Sequence, residues 1–171
     1  MTVLNLNRRQ YLELEKIALG AFAPLSGFMM EDEFLSVVET MRLPNGDPFP
    51  LPVVLDLAQA QADRIRCGSR VTLVFQDREV GALDAESLYK CDKMDVSRKV
   101  FGTDEVAHPG VGHFMRMGDV FLGGAVQLFE RAQLEFSEFE LTPSETRANF
   151  ESRGLRTVAG FQTRNVPHRA H

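Results

Sequence analysis

The sequence predicts an α+β protein. Two N-terminal helices precede a mostly β unit of short strands, an antiparallel barrel or curled sheet. The first helix and strand of an α/β domain then follow. Three observations predict this. Apolar residues recur at helical spacing in residues 8–19 and 31–43. Short Val- and Leu-rich runs separated by glycine-containing turns fill most of residues 51–141. At Thr142 the pattern changes to a capped helix, a β-prone run and a polar loop.

The first helix lies in RRQYLELEKIAL, residues 8–19, where Leu12, Leu14, Ile17 and Leu19 supply an apolar face and Gly20 a stop. GAFAPLSGFM, residues 20–29, breaks regular structure but is too apolar for an ordinary surface loop, so it is expected to pack down. EDEFLSVVETMRL, residues 31–43, reads as the second helix. Phe34, Val37, Val38 and Met41 share one face, acidic residues begin it, and Arg42 suits its end. PNGDPFP then turns the chain. LPVVLDLAQ, RVTLVF and EVGALD read as strands, with Gly68 and Ser69 in a turn. VFLGGAVQLFER, residues 120–131, reads as a strand interrupted at Gly123-Gly124, and LEFSEFEL, residues 134–141, as an extended segment. Next, Thr142 can cap a helix, with Pro143 at its first position, Glu145 completing a capping box and Gly154 releasing the chain. LRTVAGF, residues 155–161, suits a buried parallel strand, and QTRNVPHRAH follows it. The domain boundary is therefore expected at residue 142.

Composition narrows the function classes. The chain has 171 residues, enough for one domain or one domain and part of another. Its net charge of −5 argues against a non-specific nucleic-acid grip, which needs a concentrated basic face. Cys67 and Cys91 lack metal-ligand spacing and disulfide density, and read as reduced thiols. No apolar run approaches the ~20 residues that span a bilayer, and the N-terminus has no secretory pattern. The expectation is a cytoplasmic protein with no membrane and no nucleic-acid partner.

The chemistry concentrates in QTRNVPHRAH. Loops after the carboxyl ends of parallel strands are common ligand sites. Gln162 and Asn165 offer amides, and Arg164 offers a planar fork of donors suited to an oxyanion. His168 and His171 are three apart and would share a helix face. The residues point to an oxyanion and nucleotide-phosphate site. A structural polar loop is the plainer reading. HxxH supplies only two zinc ligands, so a metal site would need a third from elsewhere.

Five segments, in order, resemble the ATP sulfurylase (sulfate adenylyltransferase) family. They are GAFAPLSGFM, MRLPNGDPFPLPVVL, FGTDEVAHPGV, GDVFLGGAVQL and FQTRNVPHRAH with its QTRN and HxxH signature. The resemblance implies a PUA-like N-terminal domain over residues 1–141. Residues 142–171 would be the incomplete start of a nucleotidyltransferase catalytic α/β domain. It also implies the reaction of ATP with sulfate to give adenosine 5′-phosphosulfate and pyrophosphate, with Mg²⁺ delivered with ATP. By resemblance, Gln162, Thr163, Arg164 and Asn165 bind substrate, Gln162 and Arg164 being the sulfate pair and Asn165 a nucleotide contact. His168 and His171 contact the ATP phosphates and, with Arg164, are the catalytic candidates. Four positions depart from the family pattern: Ala23 for a common serine, Glu105 for an aspartate, Leu155 for a tryptophan, and the Val166-Pro167 order.

The family's next helix, remaining sheet and nucleotide loops would follow His171. The 171-residue chain alone is therefore expected to be inactive, and a homo-oligomer is the expected assembly of the complete enzyme. His108 is expected to orient a turn, with Asp104 and Glu105 shaping the same loop. Two other function classes remain. A PUA-type RNA-binding module would use the small basic spot at Arg8 and Arg9, and a docking or oligomer-forming domain would use residues 1–141 without catalysis.

Overall fold

The computed structural model describes residues 2–163 and residue 169. Strand β1 (Thr2–Asn5) leads directly into helix α1 (Arg8–Ala18). Asn7 caps that helix: its Oδ1 accepts from the Gln10 N–H at 3.0 Å, while Gln10 Oε1 accepts from the Asn7 N–H at 3.0 Å. Tyr11, Leu14 and Ile17 form the buried face, whereas Leu12 and Leu19 are only half-buried. Helix α2 (Glu31–Thr40) buries Phe34, Val37 and Val38 as its periodicity requires. It ends before residue 43, because Met41 takes a left-handed φ of 54° and turns outward. Arg42 consequently serves the following turn, donating from Nη1 to the Gly46 carbonyl at 2.8 Å, rather than the helix end.

The central elements are β3 (Leu55–Leu57), a single helical turn α3 (Gln59–Ala62), β4 (Arg70–Phe75), β5 (Arg78–Asp84) and β6 (Ser87–Tyr89). The β4–β5 hairpin turns at Gln76 and Asp77, both at positive φ (51° and 61°), matching the right-handed strand twist. Between β6 and β7 lie two helices the strand-like patterning hid, α4 (Lys93–Phe101) and α5 (Pro109–Arg116). Asp92 caps α4 and Gly102 ends it at φ 73°, while His108 caps α5 with Pro109 at its first position.

The sheet is mixed rather than antiparallel throughout. Its order is β1-β4-β5-β7-β2, and β1 runs parallel to β4 with Thr2 opposite Val71 and Asn5 opposite Val74. No pairing closes the sheet among the described residues; it is organised around β7 (Val120–Leu128). The first half of β7 pairs with β3 and β6, and its second half with β5 and β2. Gly123-Gly124 therefore does not interrupt the strand. It is the point where β7 exchanges both neighbours. There Gly27 of β2 faces Ala125, and a side chain on Gly27 would collide with the Gly124 carbonyl.

The core is aromatic at its centre. Phe121 packs against Phe34, Tyr89 and Phe114 with ring centroids 5.7, 5.6 and 6.1 Å apart. Tyr89 also donates its hydroxyl to the Met29 carbonyl at 2.9 Å. This pins the GAFAPLSGFM segment down, with Leu25, Phe28 and Met29 all buried.

Two predicted extended segments are absent. Residues 134–141 form no strand: Phe136 takes φ 71° and a single 3₁₀ turn covers Ser137–Phe139. The Ser137 hydroxyl accepts from the Leu134 N–H at 2.8 Å, so local side-chain bonding competes with a ladder. Helix α6 (Pro143–Ser152) forms as its caps dictate, with Thr142 and Glu145 bonded reciprocally at 3.2 and 2.8 Å and Gly154 at φ 66°. Residues 155–161 after it are exposed and not a strand. A parallel strand needs neighbours on its edges, and no described residue pairs with this run.

Candidate functional site

The QTRN segment begins at the far end of this irregular stretch. Gln162 is exposed and Thr163 is half-buried. Arg164, Asn165, His168 and His171 lie outside the described residues. What the structure adds is the framework leading to that segment, which is built on α1 and on the end of β7.

Tyr11 is the anchor. It is fully buried and stacked on Phe75, ring centroids 4.4 Å apart and planes 8° apart. Its hydroxyl accepts the Ala132 N–H at 2.7 Å and donates to Glu15 Oε1 at 3.0 Å. The same Glu15 oxygen accepts Arg131 Nε–H at 2.8 Å, and Arg131 Nη2 donates to Glu140 Oε2 at 3.1 Å. Burial raises the Tyr11 hydroxyl to about 12, with the Ala132 bond opposing the rise. The Glu15 hydrogen bond raises the Arg131 guanidinium further. The carboxyl of Glu145 is held below its usual value first by the Thr142 backbone bond, and in smaller part by the positive Arg131.

Beside this network is a cleft of about 560 Å³ between the C-terminal half of α1 and the first turn of α6. Glu15, Lys16, Arg131, Glu140, Thr142 and Arg147 line it. The sequence reading did not single out Tyr11, Glu15 or Arg131. Their only local signal is the i, i+4 spacing of Tyr11 and Glu15, which does not reveal a partner over a hundred residues away.

The FGTDEVAHPGV segment makes local contacts. His108 Nδ1 accepts the Val111 N–H at 3.4 Å, capping α5, and its ring lies 5.5 Å from Phe101. Asp104 pairs with Arg98 at 3.1 Å. An apolar cavity of about 280 Å³ lies nearby, lined by Val53, Val96, Phe101, Phe114 and Met117 with Arg9 and His113 among its polar residues. Both cysteines are free, and burial pushes the Cys91 thiol up to about 11. Among the described residues no three His, Cys, Asp or Glu side chains converge as a metal site, and no helix is long and apolar enough to cross a membrane.

A mixed sheet wrapped around one shared strand and flanked by short helices is the architecture of a PUA-like domain. The PUA-like domain family model matches residues 1–131, and the chain belongs to that family. A second model, ATP-sulfurylase, matches residues 137–171, so the two follow one another along the chain. Over all 171 residues the chain is 43% identical to the sulfate adenylyltransferase of Chloroflexus aurantiacus, covering 44% of that protein. It is 44% identical over 168 residues to that of Deinococcus radiodurans, 98% of this chain and 43% of the relative. The Schizosaccharomyces pombe sulfate adenylyltransferase is 40% identical over 171 residues, 97% of this chain and 35% of the relative. The chain thus spans less than half the length of these relatives, whose N-terminal part it matches. A solved hexameric APS kinase from Thiobacillus denitrificans shares the fold. Its TM-score is 0.68 at 24% identity, over 90% of this chain and 27% of that one.

Proposed function

We propose that this chain is the N-terminal portion of a sulfate adenylyltransferase, with residues 1–141 as its PUA-like domain and residues 142–171 opening a nucleotidyltransferase catalytic domain. The observation that carries the reading is the match to such enzymes along the whole chain, running from the first strand through the QTRN and HxxH residues. In the reaction a sulfate oxygen attacks the α-phosphorus of ATP. The bond to the bridging oxygen breaks, and pyrophosphate leaves. Sulfate is a weak nucleophile, so the site must hold two anions together and offset charge on the α-phosphoryl oxygens.

In this reading Gln162 and Arg164 hold sulfate, Thr163 belongs to the same substrate-binding segment, and Asn165 contacts the nucleotide. His168 and His171 stabilise the reacting phosphate, with Arg164 assisting. The divalent ion, Mg²⁺, arrives bound to ATP rather than in a protein cage. In this reading the complete enzyme is cytoplasmic, and a homo-oligomer is compatible with it.

The test joins residues 1–171 to the remaining portion of the Chloroflexus aurantiacus enzyme and follows pyrophosphate release with ATP, sulfate and Mg²⁺. Arg164→Ala should raise the KM for sulfate more than that for ATP. His168→Ala should lower kcat about 10²–10³-fold, the usual loss for one transition-state donor. Parent-like turnover and unchanged sulfate dependence in both variants would remove the assignment. So would a folded chimera that releases no pyrophosphate.

A further inference from the structure

Helix α6 buries no residue, and its hydrophobic side gives it little hold on the sheet domain. Something else must set where it stands. The segment that leads into it is held by a polar group. Arg131 follows the end of β7, and its guanidinium bonds Glu15 of α1 and Glu140 of the connecting segment at 2.8 and 3.1 Å. Glu140 stands two residues before Thr142, the cap of α6.

Glu15 is 7% exposed and is itself held by Tyr11, which cannot move without leaving its stack on Phe75. The chain of bonds therefore runs from the aromatic core to Tyr11, to Glu15, to Arg131, and on to Glu140 just before the α6 cap. The fork of Arg131 matters here, since Nε and Nη2 bond two different carboxylates at once. A lysine would lack the two diverging N–H groups fixed in one plane that Arg131 aims at these carboxylates.

We infer that Arg131 is a positioning residue: with Glu15 and Tyr11 it latches the connecting segment that leads into α6 against α1. This deepens the sulfurylase reading, and its kinetic part rests on that reading. Arg131 is a third exposed, so its removal leaves the core intact.

Amide exchange on the 171-residue chain tests the latch without reference to activity. In Arg131→Ala, amides of residues 132–154 should exchange about tenfold faster, while those of Arg70–Phe75 and Arg78–Asp84 stay as they were. Arg131→Lys should restore part of the protection. Equal exchange in Arg131→Ala and the parent chain would overturn the inference. In the chimera, Arg131→Ala should raise the KM for sulfate about tenfold, with partial rescue by Arg131→Lys. Mere destabilisation would lower apparent kcat and leave KM alone, and that result would also overturn the positioning role. A chimera inactive before substitution would sink the sulfurylase reading, and the exchange data would still decide the latch.

Discussion

The crossing of β7 past the end of β5, at Gly124, should be one of the least forgiving backbone sites among the described residues. A Cβ added at Gly124 would lie under 3.0 Å from the Asp84 carbonyl oxygen, and Gly124 also sits at φ +148°, where other residues are strained. The obstacle is main chain in a paired sheet, not the end of a mobile side chain. Overpacking costs about 1–3 kcal/mol and the backbone strain about another 1–3 kcal/mol, so Gly124→Ala should lose about 3 kcal/mol or more. With a urea m-value of about 2 kcal/mol/M, the unfolding midpoint should fall by about 1.5 M. Two controls isolate the cause. Gly68 has φ +85° but open space around it, so Gly68→Ala should cost only about 1 kcal/mol. Gly160 has neither obstacle, so Gly160→Ala should stay within about 0.5 kcal/mol of the parent. A Gly124→Ala midpoint within about 0.3 M of Gly160→Ala would refute the argument that the crossing requires bare backbone.

Phe121→Ala should destabilise by about 3–5 kcal/mol in the same urea assay, since the ring is fully buried among three aromatic partners. Neither tyrosine should ionise near the free value of about 10. Tyr11 is raised to about 12, burial raises Tyr89 further, and tyrosinate absorbance should appear only well above pH 10 or on unfolding. Because these folded values are raised, the stability they contribute is complete below about pH 10 and is lost as pH rises toward 12. Glu145 behaves in the opposite sense. Its folded value is lowered, so the α6 cap is intact above the usual carboxylate range and fails as pH falls through the lower value. Exchange of the α6 amides should quicken there, and Thr142→Ala should produce the same quickening at neutral pH.

Local chemistry was sufficient for much of this molecule. The Thr142, Pro143 and Glu145 cap, the apolar stripe of Phe34, Val37 and Val38, and the turn at Gly68 all act within a few residues, so their sequence was enough to place α6, α2 and the start of β4. The QTRN and HxxH side chains suggest an oxyanion site by their chemistry, with a structural polar loop as the plainer reading, and Arg164, Asn165, His168 and His171 lie outside the described residues. Tertiary structure decided the rest. The parallel pairing of β1 with β4 joins residues about seventy positions apart, and β7 serves four strands because a glycine pair lets it change neighbours midway. Residues 155–161 have the composition of a buried strand but remain irregular, since a strand is made by its partners' hydrogen bonds and not by its own side chains. Arg131 and Glu15 are 116 positions apart in sequence. Neither residue type announces the other, and only the fold brings the guanidinium to the buried carboxylate that holds it.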